Sequence, residues 1–191
     1  GLHAGTAALP MRHEVLRTVN PAERGQPRVL LIDDAAELRV VDVEGRDRAE
    51  GWREATRLAA AEGNRAFDLA RGPLFRPVLY RVDADAALFV ASMHHIVSDG
   101  WSTGVLLDEL SSLYATIGGG APTTLPDLAV QYADFTLWQR QWLDGELLEA
   151  ELRSWQARLA GAPPGLELAV DHPGPPRPSL DAWHGEVRPH G

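Results

Sequence analysis

The stretch that decides how this chain is read is His94-His95-Ile96-Val97-Ser98-Asp99-Gly100. It follows Ala86 to Met93, an apolar segment with the length and composition of a strand. Side chains alternate between the faces of a strand, so Leu88, Val90, Ser92 and His94 fall on one face and Phe89, Ala91, Met93 and His95 on the other. The two imidazoles therefore diverge. Zinc needs donors that converge, so this geometry argues against a metal site, and none is expected. A single imidazole at a strand end needs less, because it can take up or release a proton near neutral pH. Asp99 sits where a turn enters a helix and can orient that imidazole or fix the loop by binding an arginine. Gly100 allows a sharp bend. A helix starting near Trp101 offers free backbone N–H groups to a developing negative charge. These residues also have a plainer account, as a half-buried histidine pair followed by a helix N-cap. On spacing alone the plainer account is the stronger.

Outward from the motif, the pattern alternates between strands and helices. Leu74 to Val82 is a second strand, and Asp83-Ala84-Asp85 suits the hairpin turn between the two. Ser102 to Ile117 is an amphipathic helix with Val105, Leu106, Leu110, Leu113 and Tyr114 on one side, ended by Gly118-Gly119-Gly120. Upstream, Val29 to Ile32 and Leu38 to Val43 are short strands, and Arg48 to Ala66 is a helix with Trp52, Ala55, Leu58, Ala59 and Glu62 at helical spacing. Phe67-Asp68-Leu69 and Gly72-Pro73 form the loop into the next strand. Val15 and Leu16 fit the end of a helix running in from the amino terminus and stopped by Asn20-Pro21. Gln131 to Ala160 is mostly helical with a break near Asp144-Gly145, and its aromatics Tyr132, Phe135, Trp138 and Trp142 read as a core stripe. Beyond Pro163, repeated prolines make an extended connector.

Composition narrows the function. The 191 residues are 45% hydrophobic and 24% charged, a globular balance. Acidic residues outnumber basic ones 27 to 18, for a formal charge of -9, which argues against a nucleic-acid surface. There is no cysteine, so disulfides, thiolate metal sites and cysteine nucleophiles are excluded. No apolar run has the length of a membrane span, and a cytoplasmic location is the default expectation.

Three ordered blocks carry a family resemblance. Met93 to Ser102 resembles the signature of condensation domains of nonribosomal peptide synthetases: two histidines, three residues, then Asp-Gly. Arg12-His13-Glu14-Val15-Leu16-Arg17-Thr18 is similar to that family's upstream arginine-rich motif, and Tyr132 to Arg140 to its downstream aromatic helix. Gly72-Pro73-Leu74 also fits. The resemblance implies an α/β fold, an α+β sandwich in which a mixed β-sheet is flanked by helices in a chloramphenicol acetyltransferase-like lobe. Residues 1–165 would form part of the N-terminal lobe and 166–191 a Pro-rich crossover toward a second one.

The implied chemistry is amide formation between acyl groups held as thioesters on phosphopantetheine arms, with no cofactor bound directly. Donor and acceptor peptidyl carrier proteins would be the partners, beside an adenylation domain. His95, Asp99 and Gly100 would form the catalytic turn, with His95 facing the tunnel as general base or as a positioning and stabilising group. His94, Arg12, Arg17, Trp101 and Ser102 would support it, Arg12 or Arg17 being candidate partners of Asp99. His13 and Glu14 would hold the amino-terminal helix against the sheet. The chain starts without methionine and is less than half the family's usual length, so it is expected to be a piece that is inactive alone. Two other readings compete: a catalytically silent condensation-like module that binds carrier proteins or recruits tailoring enzymes, and a zinc hydrolase.

Overall fold

The computed structural model describes residues 2–33, 36–117 and 125–163. In chain order these form α1 (Leu2–Arg12), a 3-10 turn (Glu14–Arg17), β1 (Thr18–Val19), β2 (Ala22–Glu23), β3 (Gln26–Pro27), β4 (Leu30–Leu31), β5 (Arg39–Asp42), α2 (Arg48–Gly63), β6 (Phe75–Arg81), β7 (Ala87–Met93), α3 (Gly100–Ile117), α4 (Tyr132–Trp142) and α5 (Gly145–Leu159). The chain divides into two compact units at Trp142/Leu143, and α5 belongs to the second. The expected crossover, 166–191, lies outside the described residues.

The main sheet has the order β5-β6-β7 and is mixed, as expected: β5 runs parallel to β6 and β6 antiparallel to β7. Helix α2 makes the connection that two parallel neighbours require. The β6–β7 hairpin pairs every residue from Phe75↔Met93 to Arg81↔Ala87 and closes where Val82 and Asp83 donate to the Ala86 carbonyl. Alternation then sorts the side chains into two cores. Val78, Tyr80, Leu88 and Val90 pack with Ala55, Leu58 and Ala59 of α2. Phe75, Phe89, Ala91 and Met93 pack on the other face with Leu9 of α1 and Leu106 and Leu110 of α3. Helix α2 lies so close to the hairpin that a Cβ at Gly51 would come within 2.9 Å of Val82 Cγ1.

One carboxylate ties this layer together. Glu62, buried near the end of α2, accepts from Arg76 Nε of β6 (2.8 Å) and Arg39 Nη2 of β5 (2.9 Å) and forms an ion pair with Arg65 Nη2 (3.2 Å). Burial pulls the Arg76 guanidinium below the usual arginine range, reinforced by Arg65 and opposed by Glu62.

Three expectations need correction. The amino-terminal helix stops at Arg12 rather than running to Val15 and Leu16. His13 adopts extended angles, and the Pro10 carbonyl that a further helical turn would use is taken by Arg17 Nε at 2.9 Å. The chain continues as a 3-10 turn. His13 and Glu14 hold this segment against helices and not the sheet: His13 Nε2 lies 2.7 Å from Glu109 Oε2 of α3, and Glu14 N donates to Gln131 Oε1, just before α4. The aromatic stripe of α4 is exposed. Its rings cover one another, with centroid separations of 6.0, 5.7 and 5.6 Å from Tyr132 through Phe135 and Trp138 to Trp142. Helical spacing identifies residues that share a face and says nothing of what covers it.

Because removing Glu62 leaves three arginine side chains to be satisfied, two of them at the α2–sheet junction, Glu62→Ala is expected to destabilise the protein by about 3 kcal/mol or more. Urea unfolding of the variant against wild type measures this.

Candidate active site

The hairpin delivers the motif. Beyond Met93 the ladder gains one more rung, His94 N to the Leu74 carbonyl at 3.0 Å, and the chain then turns. The turn is built on His94: its carbonyl accepts from Val97 N (3.0 Å) and Ser98 Oγ (3.2 Å), and its Nδ1 accepts from Ile96 N (3.0 Å). The His94 ring is half-buried, edge to face with Phe67 at 5.7 Å and 84°. Val97 is buried in the α1/α3 core and anchors the turn from within. His95, between these fixed points, is exposed. The two imidazoles thus have different surroundings, His94 against Phe67 and His95 exposed.

His95 lines a cavity of about 160 Å³ with Asp99, Ser98, Ser102, Val15 and Tyr132. A second, more apolar cavity of about 140 Å³ adjoins it, sharing Val15, Val97, Ser98 and Ser102 and reaching Trp101, Leu9 and Met93. Trp101 is 84% exposed and stands at its rim. Asp99 caps α3: its Oδ1 accepts from Ser102 N at 2.8 Å and Ser102 Oγ at 2.7 Å. Those bonds, the backbone N–H first, hold its carboxyl below the usual 3.8, with a smaller contribution from His95.

The upstream arginines are not the partners of Asp99. Arg12 Nε donates to Glu109 at 3.0 and 3.1 Å and its Nη2 to the Pro126 carbonyl at 2.6 Å. Arg17 is buried and donates to the carbonyls of Pro10 and Ile32, both at 2.9 Å. Burial pushes the Glu109 carboxyl up, but its bonds to His13 and Arg12 outweigh this and hold it low. Gly100 also departs from expectation. It opens α3 without a positive φ, and a Cβ there would meet no described atom within 4 Å. Capping by Asp99, rather than a glycine bend, shapes this turn.

Sequence reasoning overlooked the roles of Val15, Tyr132 and Gln131. Gln131 bridges the segments, its Nε2 donating to the Arg12 carbonyl (2.9 Å) and its Oε1 accepting from Glu14 N (3.2 Å), and so sets Tyr132 beside the His95 cavity. Nothing in the spacing of the two flanking blocks indicates that they meet.

A search for known relatives matches residues 2–187 to the condensation-domain family. The chain belongs to that family. With membership comes the chloramphenicol acetyltransferase-like fold expected from the sequence. The domain is 42% identical over 180 residues to a linear gramicidin synthase of Brevibacillus parabrevis, a match covering 93% of this chain and 2% of that protein. It is 43% identical over 182 residues to phosphinothricin tripeptide synthetase of Streptomyces viridochromogenes, covering 95% and 16%. Among solved structures, the X-domain in its complex with OxyB from teicoplanin biosynthesis aligns with a TM-score of 0.75 at 29% identity, covering 91% of this chain and 38% of that one. The chain thus spans a small part of these synthetases and under half of that X-domain chain. Among the described residues no three His, Asp or Glu side chains gather as a metal site, and no helix is long and apolar enough to cross a membrane.

In this condensation-family turn, the Asp99 carboxyl is low in the folded state and ordinary in the unfolded one. Its stabilising effect is therefore full above the ordinary value and is lost as pH falls through the folded one. Asp99→Ala should lower the urea midpoint by a constant amount from about pH 7 to pH 5, with the difference shrinking below about pH 4. Asp99→Asn, which keeps a cap without the charge, should remove that pH dependence.

Proposed function

We propose that the His95 turn is the reacting end of a nonribosomal peptide synthetase condensation domain that forms amide bonds between carrier-bound substrates. The observation that carries this reading is the division within the motif, with His94 packed against Phe67 and His95 exposed on the wall of a cavity it shares with Ser98, Asp99 and Ser102. The acceptor amine attacks the donor thioester carbonyl and a C–N bond forms. The C–S bond then breaks, and the sulfur leaves as the thiol of the donor's phosphopantetheine arm, carrying a proton in place of the one the amine gives up. His95 stands where it can take that proton or hold the amine and stabilise the tetrahedral intermediate. Asp99 acts through capping, by fixing the start of α3 beside His95. Donor and acceptor peptidyl carrier proteins and an adjacent adenylation domain are the partners of this reading, with a cytoplasmic location and no directly bound cofactor.

A second reading has one observation in its favour. The X-domain, found in complex with OxyB, aligns over 91% of this chain. A catalytically silent module that recruits another enzyme would have the same fold. Retention of His94, His95, Asp99 and Gly100 together favours catalysis.

Both readings meet in one assay, amide formation between loaded carrier proteins by the longest protein carrying this chain. His95→Ala is expected to lower the rate about a hundredfold or more, and His94→Ala about tenfold or less. Equal losses in folded variants contradict the assigned roles, and an inactive wild type favours the silent module. Because the chain spans 38% of the aligned X-domain chain, the 191 residues alone should give no amide above background. Turnover by them at the longer protein's rate would overturn that expectation.

A further inference from the structure

We propose that Phe67 and Arg76 are positioning residues for the reacting turn, acting through the His94 ring to fix the backbone on either side of His95. The inference rests on the reading of the His95 turn given above. Its starting point is a guanidinium with little freedom. Arg76 donates from Nε to Glu62 Oε1 (2.8 Å), from Nη1 to the Ala66 carbonyl (3.2 Å) and from Nη2 to the carbonyls of Arg65 (2.8 Å) and Glu62 (3.4 Å). These bonds set its plane at the end of α2 and draw in the loop that follows. Phe67, next in the chain after Ala66, lies with its ring centroid 3.6 Å from Arg76 Cζ. At that distance a cation over the aromatic face attracts it, more strongly where water is excluded, and the Arg76 side chain is 8% exposed.

The His94 ring stands nearly perpendicular to Phe67 at 5.7 Å, a favoured aromatic arrangement. Its orientation matters because Nδ1 accepts the Ile96 N–H at 3.0 Å. An imidazole accepting at Nδ1 carries its proton on Nε2, so ring plane and tautomer are set together. His95 lies between the two backbone units so joined. Other bonds made by His94 and Asp99 define the rest of the turn, but the Nδ1 bond depends on a side-chain torsion, and Phe67 is the aromatic ring against that side chain. The loop Phe67-Asp68-Leu69 thereby acquires a role beyond linking α2 to β6.

The test combines kinetics with histidine nitrogen NMR on the longest protein carrying this chain. Phe67→Leu should lower kcat about fivefold with KM for the acceptor carrier unchanged, while Phe67→Tyr, which keeps the ring, should restore the rate. Arg76→Lys keeps the charge beside Glu62 without the planar face and should behave as Phe67→Leu does. In a His94→Ala background Phe67→Leu should have no further effect, because the path runs through that imidazole. At pH 8 the His94 nitrogens should show the Nε2–H form in wild type and a mixture of tautomers in Phe67→Leu. A fivefold loss that persists in the His94→Ala background, or a His94 tautomer indifferent to Phe67, overturns the proposal. If wild type forms no amide, the functional reading fails and the nitrogen spectra alone decide the positioning role.

Discussion

The antiparallel pairing of β6 with β7 is the constraint on which the rest of this molecule depends. Seven consecutive rungs fix the register, and a slip of one residue would turn one strand's faces over relative to the other's. Were β7 the strand that slipped, Leu88 and Val90 would face α1 and α3, and Phe89 and Met93 would face α2. Register is thus enforced from both sides. The bond from His94 N to the Leu74 carbonyl extends the same ladder, so the place where the chain leaves the sheet is fixed by the hairpin. The turn that carries His95 inherits its position from this pairing.

On each side of the sheet a helix-borne carboxylate gathers basic side chains from neighbouring segments. Glu62 of α2 takes Arg39, Arg65 and Arg76; Glu109 of α3 takes Arg12 and His13. Such clusters contribute little net stability, because desolvation offsets the attraction, yet removing one member leaves the others unsatisfied. Their effect here is geometric. Glu109 holds the segment after α1, from which Val15 reaches the cavity, and Glu62 holds Arg76 under Phe67. The arginine-rich block therefore serves the site at one remove.

The long elements are readable because periodicity reports burial on one face. Both strands of the hairpin, helices α2 and α3 and the break between α4 and α5 lie within a few residues of their expected bounds. The two-residue strands β1 to β3 carry no such signal, since alternation needs more positions than they have. The turn between β2 and β3 has a local cue, Arg24-Gly25, both at positive φ. What sequence does not convey is partnership. Residue type suggests an arginine for Asp99, whose partner is Ser102. It suggests a core position for the aromatic stripe, which is exposed, and a special glycine conformation at Gly100, whose φ is not positive. In each case residue type supplies the capacity for an interaction while tertiary placement chooses the partner.

The two histidines of the motif illustrate why such placement matters. His94 uses its N–H, its carbonyl and its Nδ1 within the fold, and its ring lies against Phe67. An imidazole committed in this way is poorly suited to exchange protons with a substrate, since its accepting nitrogen is already occupied. His95 is exposed beside the carboxylate of Asp99, whose own oxygen is engaged by Ser102. The bonds from Ser102 commit that carboxylate to the start of α3 and hold it low, with His95 adding a smaller contribution. The adjacent identical residues have opposite physical situations because the last bond of the ladder holds the first while the turn leaves the second exposed.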